Sequence, residues 1–288
     1  MKEQPIKVFT VRRYSTSHSE ELPLEVIVEA SVSLTVNGQV WLEFMCTPVD
    51  LEALAVGFLF NEGFLQSENE IESVRLCPKG DNVDIWLSHP AKKPDQWRRT
   101  SGCTGGYTAA DRPTEDRNTV QSSMIAEVTT TDGDHHYSFN PSEMINLVTV
   151  QQIQGMIDQL FSYQNLYRQS GGVHTSLLIE HGEPAIIAED IGRHNTLDKL
   201  AGKRILDHKA FNPCAVLTSG RISSEMLQKA SRLNAFLVIS RTSPTSLSIE
   251  MSKALGITLI GYARQGKFRV YSHPERIADP SLHFIFGH

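Results

Sequence analysis

The sequence predicts an α/β protein, with a three-layer C-terminal domain and a smaller N-terminal α+β domain. Its 288 residues exceed the usual size of one domain, and 40% of them are hydrophobic, which supports a sizeable core. In the C-terminal half, apolar runs of strand length alternate with segments of helix length. Such alternation is typical of helices packed against a sheet. We predict domains at 1–118 and 119–288, with a long polar segment at the end of the first.

The N-terminal domain begins as a sheet. Residues 24–46 alternate apolar and polar side chains around Asn37-Gly38, a dipeptide that favours a hairpin because both turn positions tolerate positive φ. Thr47-Pro48-Val49-Asp50 then predicts a helix cap with proline at the first helical position, and the helix should stop near Gly63. Two short strands are expected at 71–76 and 83–87.

The segment from about residue 89 to 118 has almost no periodicity and predicts a long loop, which in proteins is usually functional or disordered. It contains Ser101-Gly102-Cys103-Thr104-Gly105-Gly106, and four cations precede this run: Lys92, Lys93, Arg98 and Arg99. Positive charge and exposure make a thiol more reactive. Cys103 is therefore either a reactive thiol or an ordinary exposed loop cysteine.

The other cysteines read differently. Cys46 and Cys214 lie in apolar runs and are expected to be small buried hydrophobes, and Cys77, at a strand end, is expected to be inert. The spacing of the cysteines shows no pairing, so all are expected to be free thiols.

The C-terminal domain starts with an amphipathic helix after Asn140-Pro141-Ser142, which should run to about residue 163. A hairpin with strands at 174–180 and 184–188 follows. Three further strands are predicted, each adjoining a helix, at 215–218, 235–239 and 257–262.

Two turns in this domain lead from a strand into a helix and carry hydroxyl groups and an arginine. Helix N-termini present free N–H groups, so such turns suit phosphate oxygens. Ligands of open α/β sheets lie beyond the carboxyl ends of strands, so one crevice is predicted. Plain N-capping by the Ser and Thr hydroxyls is the alternative. The residues predicted to line the crevice are Ser219, Arg221, Arg241, Ser243 and Thr245.

The run from Glu189 to Lys199 concentrates acids, an imidazole and bases at an expected helix start. His194 and Asp198 are four residues apart, so on a helix the carboxylate can orient or charge the imidazole. His174 opens a strand after Gly171-Gly172. Each histidine is either functional or a satisfied structural residue. No Cys-x-x-Cys pair and no His-x-Glu signature supports a zinc site, so no metal is expected.

Charge and hydropathy bear on which classes of partner the protein binds and on where it is located. The net charge of −6 disfavours a general binder of nucleic acid or of anionic membranes, although a local basic pocket stays open. The sequence has no apolar run near the roughly 18 residues of a transmembrane helix and no signal-peptide core at its start. We therefore expect a cytoplasmic protein.

Several ordered motifs resemble the FdhD/NarQ family, the formate dehydrogenase accessory sulfurtransferases. The resemblance spans nearly the whole chain and rests on six groups of residues: Thr47-Pro48-Val49-Asp50-Leu51-Glu52 with Gly57-Phe58 and Glu62-Gly63; Gly171-Gly172-Val173-His174; Glu189-Asp190-Ile191-Gly192-Arg193-His194-Asn195 with Leu197-Asp198-Lys199-Leu200; Ser219-Gly220-Arg221; Ser243-Pro244-Thr245; and residues 256–276.

The resemblance implies a homodimeric sulfur carrier that accepts sulfur from a cysteine desulfurase as a persulfide on Cys103. The sulfur would pass to the molybdenum of bis-molybdopterin guanine dinucleotide, which serves the catalytic subunit of formate dehydrogenase. It also implies a cytidine-deaminase-like C-terminal domain without the deaminase zinc. A guanine nucleotide is expected to mimic the cofactor.

The family's cofactor-binding segment corresponds to residues 262–267, whose arginine and lysine are expected to contact cofactor phosphate. With the crevice residues and the two histidines, the predicted cofactor site comprises Tyr262, Ala263, Arg264, Gln265, Gly266, Lys267, Ser219, Arg221, Ser243, His174 and His194.

The sequence departs from the family in one place. The family usually carries Cys-x-x-Cys in the central loop, whereas Gly106 stands here at the second cysteine position. One thiolate suffices to hold a persulfide, but discharge of the sulfur then depends on the acceptor metal or an outside reductant. The alternative function is a non-covalent cofactor chaperone in which Cys103 has no covalent role.

Overall fold

The computed structural model describes residues 4–99, 107–109, 148–180, 185–264 and 266–278. Within these ranges the fold is mixed α/β. The helices are α1 Leu51–Asn61, α2 Val150–Ser162, α3 Asn165–Ser170, α4 Arg193–Leu206, α5 Ser224–Arg232 and α6 Ser246–Ala254, with 3₁₀ turns at Glu68–Glu70 and Pro274–Arg276.

The strands of the N-terminal region are β1 Ile6–Tyr14, β2 Ser19–Ile27, β3 Ala30–Val36, β4 Gln39–Cys46, β5 Ile71–Leu76, β6 Asn82–Leu87, β7 Trp97–Arg99 and β8 Tyr107–Ala109. Those of the C-terminal region are β9 Val148–Thr149, β10 His174–Glu180, β11 Ile186–Asp190, β12 Cys214–Thr218, β13 Ala235–Ser240, β14 Thr258–Arg264, β15 Lys267–Ser272 and β16 Ile277–Ala278.

The larger sheet has the strand order β11-β10-β12-β13-β14-β15. Its three central neighbours, β12, β13 and β14, are parallel, and β10 runs antiparallel to β12. The carboxyl ends of the parallel strands and the start of β10 therefore share one edge, where the connecting turns of an α/β sheet form ligand sites.

Helices cover both faces of this sheet. On one face Leu178, Val216 and Val238 pack in a core that also contains α4 and α5 residues, and α6 adds partly buried side chains. On the other face Leu177, Leu217 and other strand residues pack against the apolar stripe of α2. The α/β class and the three layers of the C-terminal region are confirmed; the likeness to cytidine deaminases stays a prediction.

The N-terminal region contains a four-stranded sheet, in the order β4-β3-β6-β5, that packs against α1. The predicted turn at Asn37 and Gly38 is confirmed, with φ of 47° and 77°. Helix α1 is buried along almost its whole length. It crosses α4 where Gly57 of α1 lies against Gly202 of α4. A Cβ at Gly57 would lie 1.8 Å from the Asp198 carbonyl oxygen, so only glycine permits this approach.

Several predicted boundaries of the N-terminal region were wrong. Residues 24–27 belong to β2, which pairs with β1 in a separate hairpin, and the strand before Asn37 begins only at Ala30. Thr47 does not cap α1, because the N-cap position is Asp50 and Thr47 is buried against Asp190. The predicted loop from 89 to 118 contains the paired strands β7 and β8, and the Trp97 ring packs at a tilt against the rings of Trp41 and Phe58.

The amphipathic helix of the C-terminal region starts later than predicted. Val148 and Thr149 form β9, which pairs with β16, and Thr149 then caps α2 by accepting a hydrogen bond from the Gln152 N–H. Residues 141–147 and the predicted domain boundary at residue 118 lie outside the described residues. The hairpin at 174–180 and the three later strands are confirmed, although β11 extends to Asp190.

Candidate functional site

A row of backbone hydrogen bonds joins the turns at the carboxyl edge of the larger sheet. The Ser219 N–H donates to the Thr175 carbonyl at 2.9 Å, and the Tyr262 N–H donates to the Thr242 carbonyl at 2.9 Å. Between them, the Arg241 N–H donates to the Thr218 carbonyl at 3.1 Å. We call this edge, with His174, Ser219, Arg221, Ser243 and segment 262–267, the crevice rim.

The two strand-to-helix turns lie side by side on this rim. The Ile222 N–H donates to the Ser243 carbonyl at 3.2 Å, and the Thr245 N–H donates back to the Ile222 carbonyl at 3.0 Å. The structure therefore brings together the turns of Ser219–Arg221 and of Ser243, both of which the sequence placed in one crevice.

Helix capping in these turns falls to other hydroxyls. Ser223 accepts from the Met226 N–H at the start of α5, and Thr245 accepts from the Ser248 N–H at the start of α6. The capping alternative thus holds for Thr245, which we had placed in the crevice. Ser219 and Ser243 do not cap these helices, and Arg221 is exposed beside them.

His174 lies at the start of β10, and its Nδ1 is 3.2 Å from the Ser219 hydroxyl. Burial lowers the pKa of His174, and the Arg193 and Arg221 guanidinium groups lower it further, while Asp190 opposes them. The imidazole is therefore neutral near pH 7. A neutral ring next to two arginines donates or accepts hydrogen bonds but adds no charge of its own.

Arg193 is the rim neighbour that the sequence did not single out. It is the first residue of α4 and is 5% exposed. A Cβ at Gly220 would lie 2.9 Å from Arg193 Cβ and 3.1 Å from its Cδ, so the absence of a side chain at residue 220 lets the arginine stem pass. The available signal was the position of Arg193 directly after Gly192, within the charged run from Glu189 to Lys199.

His194 is buried beside the start of α5 and does not lie on the exposed rim. Its Nε2 is 3.4 Å from the Glu225 carboxylate and 3.5 Å from the Ser223 hydroxyl, and the side chain is 1% exposed. Burial lowers its pKa to about 4, so the ring is neutral. The prediction that Asp198 orients or charges His194 was wrong, because the Asp198 carboxylate pairs with Lys229 at 2.6 Å and accepts from Asn61 at 2.8 Å.

Most of the charged run from Glu189 to Lys199 holds the fold together. The Asp190 carboxylate accepts from the Thr47 and Gly192 N–H groups and from the Asn195 amide, and it pairs with Lys199 at 2.6 Å. These groups bind the N-terminal region to the start of α4. We call Asp190, Asn195, Asp198, Lys199 and Lys229 the α4 polar cluster; each of its members is buried.

Segment 262–267 forms the tip of the β14–β15 hairpin. Tyr262 has a φ of 54°, and its ring lies 4.4 Å below the Arg269 guanidinium. Ala263 is buried in the core, so only its backbone is open to a ligand. Arg264 and Lys267 face each other across the hairpin and are exposed, Gly266 has a φ of 70°, and Gln265 lies outside the described residues.

The described carboxylates leave three cations of the rim without an ion pair. Arg221, Arg264 and Lys267 form no ion pair with a carboxylate in the part of the chain that the structure describes. Unneutralised cations beside a row of turns favour an anionic ligand, because the charges stay available to it.

Cys103 and Gly106 lie outside the described residues. The three described cysteines are free, as predicted. Burial raises the pKa of Cys46 and of Cys214 to about 12, so both thiols are unreactive. Cys77 is half-buried and donates to Asp81 at 2.9 Å.

The described residues contain no candidate metal site and no candidate membrane-spanning helix. Their His, Cys, Asp and Glu side chains form no group of three suited to a metal ion. No helix in the described ranges has the length and hydropathy needed to cross a membrane.

Known proteins resemble this chain over most of its length. The model of the FdhD/NarQ family matches residues 27–278. The sulfur carrier protein FdhD of Bacillus subtilis (strain 168) is 31% identical over 279 residues, which cover 97% of this chain and 100% of that protein. The sulfur carrier protein FdhD of Staphylococcus aureus (strain MRSA252) is 30% identical over 258 residues, which cover 88% of this chain and 90% of that protein.

This chain is also similar to a protein of known crystal structure. The crystal structure of a putative formate dehydrogenase accessory protein from Desulfotalea psychrophila superimposes with a TM-score of 0.72. It is 26% identical in sequence, and the match covers 96% of this chain and 100% of that one.

Proposed function

The chain belongs to the FdhD/NarQ family, and from that premise we propose that it carries sulfur as a persulfide on Cys103 and transfers it to molybdenum. The acceptor is bis-molybdopterin guanine dinucleotide, which then serves the catalytic subunit of a formate dehydrogenase. The observation that carries the proposal is the crevice rim, where exposed cations and adjoining turns suit a ligand with several phosphates.

Two groups of described rim residues would each bind a different group of cofactor phosphates. Arg221, which is exposed beside the Ser219 and Ser243 turns, suits one group of phosphate oxygens, because a guanidinium binds phosphate by charge-assisted hydrogen bonds. Arg264 and Lys267, at the hairpin tip, suit a second group. Bis-molybdopterin guanine dinucleotide contains two dinucleotide units, each with its own pyrophosphate, so two groups of cations match its two groups of phosphates.

The sulfur step needs one thiolate. The Cys103 thiolate attacks the terminal sulfur of the persulfide on a cysteine desulfurase; the new S–S bond forms on Cys103, and the donor cysteine leaves as a thiolate. Arg98 and Arg99 shortly precede Cys103 in the sequence and favour its thiolate form. Delivery as a sulfide ligand requires two electrons, which the acceptor metal or an outside thiol supplies.

The test is peptide mass spectrometry after incubation with an active cysteine desulfurase and cysteine. We expect one added sulfur atom on the Cys103 peptide of the wild type and none in Cys103→Ser. Cys77→Ser is the matched control, because Cys77 is the described thiol with partial exposure. Sulfur on Cys77, or none on Cys103 with the donor active, would contradict the persulfide step.

A non-covalent cofactor chaperone is the second candidate, and Gly106 in place of the family's usual second cysteine favours it. In that function Cys103→Ser leaves both the binding of guanosine diphosphate and the maturation of formate dehydrogenase intact. In the sulfur-carrier function the same variant keeps nucleotide binding but loses maturation. Measuring both in one variant separates the two candidates.

The remaining parts of the proposal follow from the family. We place the exchange in the cytoplasm, between a cysteine desulfurase and a formate dehydrogenase, and we expect a homodimer. Size-exclusion chromatography with light scattering tests the dimer.

A further inference from the structure

The Ser219 hydroxyl links the backbone of β10 to the His174 ring. Its Oγ accepts a hydrogen bond from the Thr175 N–H at 3.0 Å. The same oxygen lies 3.2 Å from His174 Nδ1. Since a backbone N–H can only donate, one lone pair of the serine oxygen is already used.

The proton of the hydroxyl then decides the state of the ring. If Ser219 donates to Nδ1, the neutral imidazole carries its own proton on Nε2. If Nδ1–H donates to Ser219 instead, the hydroxyl proton needs another acceptor. The described residues offer it none and leave it to solvent, so donation to Nδ1 is the arrangement that pairs both groups within the described protein.

The surroundings of the ring agree with this neutral form. A Cβ at Gly220 would lie 3.5 Å from Nδ1, so the Nδ1 edge is enclosed by Ser219 and Gly220. Three charged groups act on the ring: Arg193 at the start of α4, Arg221 after β12, and Asp190 at the end of β11. The two arginines disfavour a proton on both nitrogens.

We infer that Ser219 is a positioning residue: its hydroxyl holds His174 in the tautomer protonated on Nε2, so that the ring donates a hydrogen bond to an anion in the crevice. The Nε2 edge has no hydrogen-bond partner within the described ranges and is the edge left for a ligand. The ligand part of this inference rests on the proposed function. The relation between Ser219 and His174 does not.

The tautomer matters because it decides whether the ring attracts or repels a phosphate oxygen at its Nε2 edge. With its proton on Nε2, the ring presents a donor to phosphate oxygen. With its proton on Nδ1, it presents a lone pair to the same oxygen, and two acceptors repel. Ser219 thereby acts on the ligand through the ring, and not through a direct contact of its own.

The experiment compares wild type, Ser219→Ala and Ser219→Thr, each labelled with ¹⁵N-histidine. Nitrogen chemical shifts at pH 7.5 report the tautomer of His174, which a His174→Gln variant assigns. We expect Nε2–H in the wild type, a mixture with Nδ1–H in Ser219→Ala, and recovery in Ser219→Thr. Ser243→Ala removes a hydroxyl from the adjoining turn and should leave the tautomer unchanged.

Calorimetric titration with guanosine diphosphate completes the test. Loss of one hydrogen bond weakens binding about three- to tenfold in Ser219→Ala, and Ser219→Thr restores it. A wild-type ring that is protonated on Nδ1 or on both nitrogens overturns the inference, as does an unchanged tautomer in Ser219→Ala. If the tautomer shifts but the wild type binds no guanosine diphosphate, the proposed function fails and the positioning role of Ser219 stands.

Discussion

Two groups of polar residues lie near the carboxyl edge of the larger sheet, and they differ in burial and in pairing. In the α4 polar cluster, Lys199 meets Asp190 and Lys229 meets Asp198, each at 2.6 Å and out of contact with water. On the crevice rim, Arg221 and Arg264 are exposed and form no ion pair within the described part of the chain.

This difference separates charges that stabilise the fold from charges that are available to a ligand. A buried charge without a partner costs several kcal/mol, so each cluster member is tied to a second one. An exposed cation without a partner costs little folding free energy, because water solvates it, so it remains available to bind an anionic ligand. A dense run of charged residues in a sequence therefore marks structural importance as readily as a binding site.

The largest expected effect on stability comes from removing one member of an ion pair in the α4 polar cluster. Lys229→Ala leaves the Asp198 carboxylate buried without its cation, and burial already raises the pKa of that group. We expect a loss of about 3–5 kcal/mol in the free energy of unfolding, measured by urea denaturation. Lys267→Ala, on the rim, should change it by about 0.5 kcal/mol or less. Equal losses in the two variants would erase the distinction.

The second effect concerns pH. His194 has a pKa of about 4 in the folded protein against 6.5 in the unfolded chain. Below pH 6.5 the unfolded chain therefore binds a proton that the folded protein refuses, and stability falls as the pH drops towards 4. At 1.36 kcal/mol per pH unit the loss approaches about 3 kcal/mol.

The check is urea denaturation of wild type and His194→Gln between pH 4 and 7. His174 also has a lowered pKa, so the two proteins share that part of the pH dependence. The wild type should lose more stability than the variant over this interval. If both curves have the same slope, His194 does not titrate as its burial requires.

Local patterns were enough to predict most of the fold. The Asn37-Gly38 hairpin, helix α1 and the alternating strands and helices after residue 174 were each correct in type, because turn chemistry and periodicity act over a few residues. The β1–β2 hairpin was missed, since Pro23 interrupts the apolar run of β2 and both strands are largely exposed.

The site was less accessible to sequence because its contacts join distant residues. Thr47 looked like a helix cap, but its partner Asp190 is 143 positions away. Asp198 shares a helix with His194, yet it binds Lys229 of α5 and Asn61 of α1. Arg193 reaches the rim only because Gly220, on another turn, leaves room for its stem. Cys103 lies outside the described residues, so its role stays a prediction.

The smallest expected effect on stability is that of removing a cation from the crevice rim. Arg221→Ala removes an exposed guanidinium, so the free energy of unfolding should stay within about 0.5 kcal/mol of the wild type. A charge-assisted hydrogen bond to phosphate contributes about 1.5 kcal/mol or more, so affinity for guanosine diphosphate should fall about tenfold. Calorimetric titration measures the affinity.

Arg12→Ala on β1 is the matched control, because Arg12 is equally an exposed arginine but pairs with Glu21 at 2.6 Å. It should leave the affinity for guanosine diphosphate unchanged. Raising the salt concentration should weaken binding to the wild type more than to Arg221→Ala, since the exposed guanidinium attraction is the part that ions screen. If Arg221→Ala instead unfolds the protein, then the rim cation is structural like those of the α4 polar cluster, and burial alone does not separate the two groups. If the variant binds guanosine diphosphate as tightly as the wild type, Arg221 does not serve the ligand.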